Sequence, residues 1–228
     1  MSKPGFEFHT FSITARCERT GMLGVALATH AYAVGARCPH VRAGVGAVAT
    51  QATTDPRLGI LALNLLEMGF SAAKALAEVA ASDPHFKHRQ VGIVDRDGNS
   101  AAETGSANLG WAGHIVGRNF VAMGNYLMSA RTVEAMAESF ESTKALDLDE
   151  RLLRAIEAGR DAGGQHGGQR SAALLVYNRE PFPWVDLRVD LHQEPVGELR
   201  RIFDLFQGVK EHYTLRAMDP ERPAPADA

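Results

Sequence analysis

The chain contains few cysteines, and their number limits the kind of protein it can be. Only Cys17 and Cys38 occur among its 228 residues. Two cysteines in a chain of this length do not form the dense disulfide framework that stabilises small secreted domains. We therefore interpret both as reduced thiols in a cytosolic protein.

Long apolar runs and a secretory signal are also missing. No stretch approaches the roughly 20 apolar residues that span a bilayer. The first residues, 1–5, are not followed by the apolar segment of a signal peptide. These absences predict a soluble, cytoplasmic protein that has no membrane partner.

Positive charge is not concentrated anywhere in the sequence. The 24 Lys and Arg residues are balanced by 27 Asp and Glu residues, which gives a net charge of −3 at pH 7. A nucleic-acid-binding surface needs clustered positive charge. We therefore do not expect nucleic acid as a partner. We expect a small-molecule substrate.

The sequence also lacks the usual signatures of metal and cofactor sites. His85 and His88 form a His-x-x-His spacing, which is a poor metal signal without carboxylate or cysteine partners. The glycines of residues 163–168 are not followed by the Gly-Lys-Ser/Thr of a phosphate-binding loop. No Gly-x-Ser-x-Gly nucleophile elbow occurs. We predict neither a metal nor a cofactor.

Apolar residues are plentiful, and they are sufficient for one sizeable core. They make up 45% of the chain, which is an ordinary fraction for a globular protein. The length is consistent with one domain. We predict a single domain over residues 10–212, preceded by nine residues (1–9) and followed by a flexible tail (213–228).

The stretch from residue 10 to residue 51 organises the rest of the chain. Thr10–Ala15 alternates polar and apolar side chains, which predicts a half-buried strand. Leu23–Thr29 is a small, apolar run typical of a strand covered on both faces. Val41–Thr50 is interpreted as a third strand. We expect the three to form an antiparallel meander that brings Thr10 close to polar side chains at strand ends, namely Thr29, His30, Thr50 and Gln51.

The remaining patterns predict an α+β protein. Apolar spacing and capping signals predict five helices, over residues 58–68, 72–81, 127–140, 149–158 and 196–210. Residues 89–94 and 100–104 form the clearest hairpin. Further strands are predicted over residues 110–116, 119–123, 171–177 and 184–189. Two consecutive helices after three strands favour layered α+β over alternating βαβ units.

Short segments along the whole chain resemble those of a known family. They are Thr10–Ile13, Thr20-Gly21, Gly24–Ala26, Ala33–Gly35, Ala43–Gln51, Arg89–Asp95, Trp111–Gly113, Gly124-Asn125, Gln169–Leu174 and Val185–Val189. In these segments the chain resembles domain of unknown function 1028, a bacterial and archaeal family placed within the N-terminal nucleophile hydrolase superfamily. The resemblance implies a four-layer αββα sandwich of antiparallel sheets flanked by helices. By the same fold analogy we expect a homodimer.

The resemblance also implies a reaction mechanism centred on Thr10. In the superfamily, the terminal residue is the nucleophile and its own α-amine is the base. A threonine hydroxyl must lose its proton to attack, and a free α-amine with a pKa near 7.7–8.0 can accept it. Because Met1–His9 precede Thr10, this mechanism requires removal of that leader. The alternative is an uncut chain in which Thr10 simply begins a strand.

Other residues are candidates for supporting roles. Ser12 lies on the same strand face as Thr10 and could assist or replace it. Backbone N–H groups near Gly124 and the Asn125 side chain are candidate oxyanion donors, although a Gly-Asn pair is also a common turn. His30 and Gln51 are candidates for substrate binding. Their alternative is a structural role at the ends of their strands.

A glycine-rich loop, residues 161–171, provides one further candidate. Its glycines allow the backbone to approach a ligand or the first strand closely. Arg170, in this loop, can hold a substrate carboxylate in a two-pronged contact. The alternative is a flexible connection that packs against the first strand.

Two hypotheses about function follow. The first is an amide hydrolase that cleaves a small, amino-acid-like substrate, with Thr10 as the nucleophile after removal of the leader. The second is a non-catalytic ligand-binding or structural protein that keeps the same sandwich fold.

Overall fold

The computed structural model describes residues 9–221 of the chain. The strands of this part, in chain order, are β1 (Thr10–Arg16), β2 (Leu23–Thr29), β3 (Pro39–Arg42), β4 (Gly46–Ala52), β5 (Arg89–Asp95), β6 (Ser100–Thr104), β7 (Trp111–Gly117), β8 (Phe120–Leu127), β9 (Ser171–Tyr177) and β10 (Pro183–Val189). The α-helices are α1 (Pro56–Glu67), α2 (Ala72–Ser82), α3 (Arg131–Ser142), α4 (Leu148–Asp161), α5 (Pro195–Gln207) and α6 (Lys210–Met218).

The strands form two antiparallel sheets. The larger sheet has the strand order β10-β9-β2-β1-β8-β7, and the smaller has the order β3-β4-β5-β6. Helices α1 and α2 pack on the smaller sheet, whereas α3, α4 and α5 pack on the larger one. The sheets face each other through contacts such as β1 with β4 and β5 with β8. This arrangement confirms the predicted α+β class and the four-layer αββα sandwich.

Apolar side chains fill the three spaces between the four layers. Phe11 and Phe203 belong to the cluster between helices α3–α5 and the larger sheet. Met123 lies in the cluster between the two sheets. Val48 and Leu63 lie between the smaller sheet and helices α1 and α2. Each fully buried large side chain contributes about 1.5–3 kcal/mol to stability, so all three clusters hold the layers together.

Strand β1 is buried on both faces, although its alternation predicted a half-buried strand. Phe11 and Ile13 belong to the cluster under the helices. Thr10, Ser12 and Thr14 alternate with them and are also buried, on the face toward the smaller sheet. The sequence pattern could not reveal that the polar face meets a second sheet instead of water. A buried hydroxyl without a partner costs about 1–3 kcal/mol, so this face needs polar neighbours.

The predicted third strand is divided into two, and the predicted meander is wrong. Residues 39–42 and 46–52 are separate strands, β3 and β4, which pair with each other in the smaller sheet. Gly44 lies between them with a φ of +68°, a backbone conformation that favours glycine. Strand β1 does pair with β2, as the meander required, but the second neighbour of β2 is β9 and the second neighbour of β1 is β8. Gln51 in β4 therefore approaches β1 from the opposite sheet.

Most other predicted elements are present, with shifted ends. The hairpin of residues 89–94 and 100–104 is confirmed as β5 and β6. The helix predicted from residue 127 begins at Arg131, because Leu127 pairs with Trp111 as the end of β8.

The ends of the chain lie partly beyond the described residues. The leader residues 1–8 and the end of the predicted tail, residues 222–228, fall outside them. Within the described part, helix α6 extends into the predicted tail as far as Met218. None of the helices in residues 9–221 is long and apolar enough to cross a membrane.

Candidate active site

Thr10 lies between two neighbouring strands at the start of β1. It is opposite Thr29 in β2 and opposite Asn125 in β8. Its side chain is 2% exposed. Its hydroxyl oxygen lies 3.0 Å from the hydroxyl oxygen of Thr29. The ladder of β1 and β2 therefore fixes one specific partner for the Thr10 hydroxyl.

The peptide carbonyl immediately before Thr10 accepts two hydrogen bonds. The Thr29 hydroxyl donates to the carbonyl oxygen of His9 at 2.6 Å, and the backbone N–H of His30 donates to the same oxygen at 3.1 Å. Since the Thr29 proton is directed at this carbonyl, the Thr10 hydroxyl is the donor in its contact with Thr29. Two donors on one carbonyl oxygen form an arrangement that stabilises negative charge developing there.

The ring of His9 is part of the folded interior. It stacks on Tyr126 with the ring centroids 4.0 Å apart and lies 5.4 Å from the ring of His30. Its Nδ1 donates to the backbone carbonyl of His166 at 2.7 Å, and only 7% of the residue is exposed. The peptide bond between His9 and Thr10 is therefore held at a fixed position beside the Thr10 hydroxyl.

A network of buried amides connects the two sheets behind Thr10. The Ser12 hydroxyl donates to Oε1 of Gln51 at 2.7 Å. Nε2 of Gln51 donates to Oε1 of Gln90 at 2.8 Å, and Nδ2 of Asn125 donates to the same atom at 3.1 Å. Nε2 of Gln90 in turn donates to the Gly124 carbonyl at 2.9 Å. These side chains are buried and neutral, and each finds a partner, as buried amides require.

The network brings together four predicted residues, but it directs their polar groups away from the Thr10 hydroxyl. Ser12 and Asn125 bond to the amides of Gln51 and Gln90, and Gln51 reaches only the backbone carbonyl of Thr10, at 3.4 Å. Gln90 was not predicted. Its sequence signal is a glutamine at the start of a strand whose following residues are apolar or glycine. These side chains support the position of β1 in this structure.

A small cavity of about 80 Å³ opens beside the Thr10 hydroxyl. It is lined by Thr10, Thr29, Ala31, Val34, Arg37, Cys38, Thr53 and Thr54. At about 30 Å³ for each water molecule, the cavity has room for two or three. Four threonine hydroxyls and one guanidinium suit a small polar or anionic group. Arg37, Thr53 and Thr54 were not predicted, because only the fold brings these loop residues to the end of β1.

Cys38 lines the same cavity but is a poor nucleophile. Complete burial raises the pKa of its thiol to about 11, although a hydrogen bond with Thr54 acts in the opposite direction. The thiolate is the reactive form of cysteine. At neutral pH this thiol stays protonated, which makes the threonine hydroxyls of the cavity better candidates for a nucleophile.

The glycine-rich loop covers the end of β1, as its glycines suggested. Four of its residues have positive φ angles, namely Gly163, Gly164, Gly167 and Gly168. The carbonyl of Gly168 accepts a hydrogen bond from Nδ1 of His30 at 3.2 Å. The backbone N–H of Arg170 donates to the Thr29 carbonyl at 2.7 Å. These contacts fix the loop against the strand that carries Thr29.

The predicted binding residues His30 and Arg170 lie at the edge of this site. The His30 ring is engaged by the loop, and the exposed Arg170 guanidinium donates to the Tyr32 hydroxyl at 3.1 Å. Neither side chain lines the cavity, whereas Arg37 does. Within residues 9–221, no group of three or more His, Cys, Asp or Glu side chains is placed to hold a metal ion.

Comparison with known proteins assigns the chain to a family. The model of DUF1028, a family of unknown function, matches residues 10–199. The chain belongs to this family. The match begins at Thr10, and it confirms the resemblance seen in the sequence.

One solved structure agrees with the family assignment. A crystal structure of a DUF1028 protein from Silicibacter pomeroyi shares 33% sequence identity with the chain, with a TM-score of 0.81 over 87% of this chain and 89% of that one. Anbu (ancestral beta-subunit) from Yersinia bercovieri matches with 9% identity and a TM-score of 0.41, over 94% of this chain and 99% of its own. No curated protein matches the chain significantly.

Proposed function

We propose that this DUF1028 protein is an amide hydrolase in which Thr10 is the nucleophile after the bond between His9 and Thr10 has been cut. One observation carries the proposal. The carbonyl oxygen of His9 is held by two donors, Thr29 and the backbone of His30, next to a threonine hydroxyl that lines a polar cavity.

The base in this proposal is the α-amine of Thr10. Within residues 9–221, the Thr10 hydroxyl bonds to the neutral hydroxyl of Thr29, with no carboxylate or imidazole as its hydrogen-bond partner. A threonine hydroxyl needs a base to become a useful nucleophile. A free α-amine has a pKa near 7.7–8.0 and accepts a proton at neutral pH, whereas the nitrogen of a peptide bond cannot.

The two hydrogen bonds to the His9 carbonyl oxygen favour self-cleavage as the way in which this amine is released. The Thr10 oxygen attacks the carbonyl carbon of His9, and the oxyanion that forms is held by Thr29 and the His30 N–H. The carbon–nitrogen bond then breaks as the proton of the Thr10 hydroxyl passes to the leaving nitrogen, which leaves residues 1–9 attached to Thr10 as an ester. Water hydrolyses the ester, so residues 1–9 leave with a carboxylate and Thr10 keeps a free amine. Cleavage by another peptidase would give the same product.

The same two donors then serve the substrate. Once His9 has left, the Thr29 hydroxyl and the His30 N–H are available for the carbonyl oxygen of an incoming amide. Thr10 attacks this carbonyl, its amine transfers the proton to the leaving nitrogen, and water hydrolyses the resulting ester. Departure of the buried His9 ring also opens space beside His30 and Tyr126.

The cavity suggests the class of substrate. Arg37 lines the cavity and can hold a carboxylate. The hydroxyls of Thr53 and Thr54 can donate hydrogen bonds to polar groups of a substrate or accept hydrogen bonds from them. The enclosed volume favours a short molecule over a peptide. We therefore propose a small, amino-acid-like amide that carries a carboxylate close to the bond that is cut.

Intact mass and turnover of purified protein test this proposal. Wild-type protein is expected to lack residues 1–9 and to hydrolyse at least one member of a panel of carboxylate-bearing amides. Thr10→Ala should remain full-length and lose turnover by on the order of 10⁴-fold or more, as for other catalytic nucleophiles. Thr10→Ser keeps a hydroxyl and should retain processing. If full-length wild-type protein turns over substrate, the proposed base is wrong.

A non-catalytic ligand-binding protein is the second candidate, and the position of His9 favours it. Its ring is buried and engaged by Tyr126 and His166, so an uncut chain fills the space beside Thr10. Full-length wild-type protein that hydrolyses no amide but binds small carboxylates would support this candidate.

A further inference from the structure

A second pocket lies at the opposite end of β1 from Thr10. Strand β1 has seven residues, so its two ends are about 20 Å apart at roughly 3.3 Å per residue. The pocket has a volume of about 290 Å³. It is lined by Arg16, Cys17, Glu18, Arg19, Arg118, Asn119, Phe120, Phe140, Glu141, Lys144 and Arg151. None of these residues takes part in the proposed hydrolysis.

Positive charge dominates this pocket. Its lining contains five basic side chains and two carboxylates. One of the basic residues, Arg19, is matched by Asp147, which lies 2.7 Å away. Without Cys17, the pocket therefore has an excess of two positive charges. The chain as a whole has a net charge of −3. Such local focusing of one charge attracts ligands of the opposite charge.

Arg151 is the most unusual residue of the lining. It is 6% exposed, its Nη2 donates to the Phe140 carbonyl at 2.9 Å, and its Cζ lies 3.8 Å from the centroid of the Phe140 ring. Within residues 9–221, however, its buried Nε has no hydrogen-bond partner. Burial lowers the pKa of this guanidinium, because its charge is held away from water. A buried donor on a charged group normally has a partner.

Arg16 presents the same feature on the neighbouring strand. Its Nη1 lies 3.4 Å from Oδ1 of Asn119, and its buried Nε also has no partner among the described residues. Two guanidinium groups with unused donors therefore line one pocket. A guanidinium offers a fork of N–H donors that matches the oxygens of phosphate and carboxylate groups.

We propose that this pocket binds a small oxyanion, a phosphate or carboxylate group, between Arg16 and Arg151. Arg118 and Lys144, which are exposed at the mouth of the pocket, add positive charge that attracts the ligand. The faces of Phe120 and Phe140 provide an apolar wall for any carbon skeleton that the anion carries.

Cys17 provides an internal reporter for this site. Burial raises the pKa of its thiol, but hydrogen bonds from Thr20 and Arg19 and the charge of Arg151 outweigh burial, so the net shift is downward. Cys17 is buried, with 2% of the residue exposed, so a bound anion acts on it through its charge and should disfavour the thiolate by repulsion. Occupancy should therefore slow alkylation of Cys17 and leave Cys38, in the other cavity, unaffected.

The test is calorimetric titration of the protein with inorganic phosphate and with acetate, at constant ionic strength maintained with sodium chloride. Saturable binding of one anion per chain is expected, and the two titrations show which oxyanion is preferred. Arg151→Lys keeps the charge but removes Nε–H, and it should weaken binding by about tenfold or more, the effect of losing one charge-assisted hydrogen bond. Arg179→Ala, which removes an exposed cation outside the pocket, should leave binding unchanged.

Two further measurements ensure that the result is decisive. If Arg151→Lys does not fold, the double variant Arg118→Ala/Lys144→Ala tests the same pocket and should also weaken binding. Thr10→Ala should bind the anion as wild type does, so failure of this inference is distinguishable from failure of the proposed hydrolysis. Heat that does not saturate, or binding that is unchanged in the pocket variants, would overturn the proposal. An alkylation rate of Cys17 that is unchanged at a saturating concentration of the anion would also overturn the proposal.

Discussion

At the scale of single residues, Thr29 connects Thr10 to the peptide bond before it. Its hydroxyl donates to the His9 carbonyl and accepts from Thr10. Thr29→Val keeps the shape of the side chain but removes the hydroxyl. We expect about a 10²–10³-fold slower appearance of chains that begin with Thr10, which is the usual effect of losing one oxyanion donor. Mass spectrometry over time after expression measures this rate.

Thr14→Val is the matched control for that experiment. Thr14 is fully buried on the face of β1 that also carries Thr10, and within the described residues its hydroxyl has no hydrogen-bond partner. Its replacement should leave processing unchanged and cost little stability, because no bond is lost. Processing of Thr29→Val at the wild-type rate would contradict the role assigned to Thr29.

Gln90 should matter for stability. In Gln90→Leu, five groups lose a partner. Three of the lost bonds are buried, those to the side-chain amides of Gln51 and Asn125 and to the backbone carbonyl of Gly124, and two are partly buried, those to the Thr104 hydroxyl and the Gly113 carbonyl. At about 1–3 kcal/mol for each buried unsatisfied group, we expect the free energy of unfolding to fall by at least about 3 kcal/mol. Urea unfolding measures it. The control variant Gln193→Leu changes an exposed glutamine, and its free energy of unfolding should stay within about 0.5 kcal/mol of the wild-type value. If Gln90→Leu and Gln193→Leu lower the free energy of unfolding equally, the role assigned to Gln90 is contradicted.

Sequence patterns could place some of these residues but not their partners. The alternation of β1 put Thr10 and Ser12 on one face, and the end of the predicted third strand suggested Gln51 as a neighbour. Asn125 was proposed as an oxyanion donor. Gln90 could not be predicted, because its contact with Asn125 depends on how the two sheets stack. The catalytic and binding roles given to all these residues stay predictions.

At the scale of elements, the position of β4 depends on a small residue where helix α1 crosses it. A Cβ added at Gly46 would lie 2.9 Å from the carbonyl oxygen of Val94 and would overlap the Leu66 side chain. Gly46→Ala should therefore destabilise the protein by about 1–3 kcal/mol through overpacking. Thermal or urea unfolding measures the change. Because β4 carries Gln51, the same variant should also reduce any activity that depends on β1.

Gly208→Ala is the control at this scale. No heavy atom lies within 4 Å of its added Cβ, and its φ of −66° suits any residue. It should leave stability unchanged or raise it by about 0.4–1 kcal/mol, since alanine restricts the unfolded chain. A Gly46→Ala protein as stable as Gly208→Ala would show that the α1–β4 contact is loose.

The boundary between β3 and β4 shows why element predictions fail locally. After Arg42, residues 41–50 contain only small or apolar side chains. The pattern of polar and apolar residues in this stretch therefore gave no sign of a turn. The turn instead depends on the positive φ of Gly44. A single glycine is compatible with a strand interior as well as with a turn, and only pairing with the next strand decides between them.

At the scale of the whole molecule, the four-layer sandwich was predictable for a specific reason. The order of strands and helices indicated α+β, but the number of layers came from the family resemblance. The three apolar clusters between the layers are not visible in the order of elements, since each combines residues from distant parts of the sequence. The homodimer and the removal of the leader stay predictions.

The most direct test of the central claim is the intact mass of the purified, catalytically active protein, combined with sequencing of its first residues. A chain that begins at Thr10, with turnover that disappears in Thr10→Ala, is the predicted result. A protein that retains residues 1–9 and still hydrolyses an amide would contradict the claim, because no free amine would then adjoin the Thr10 hydroxyl.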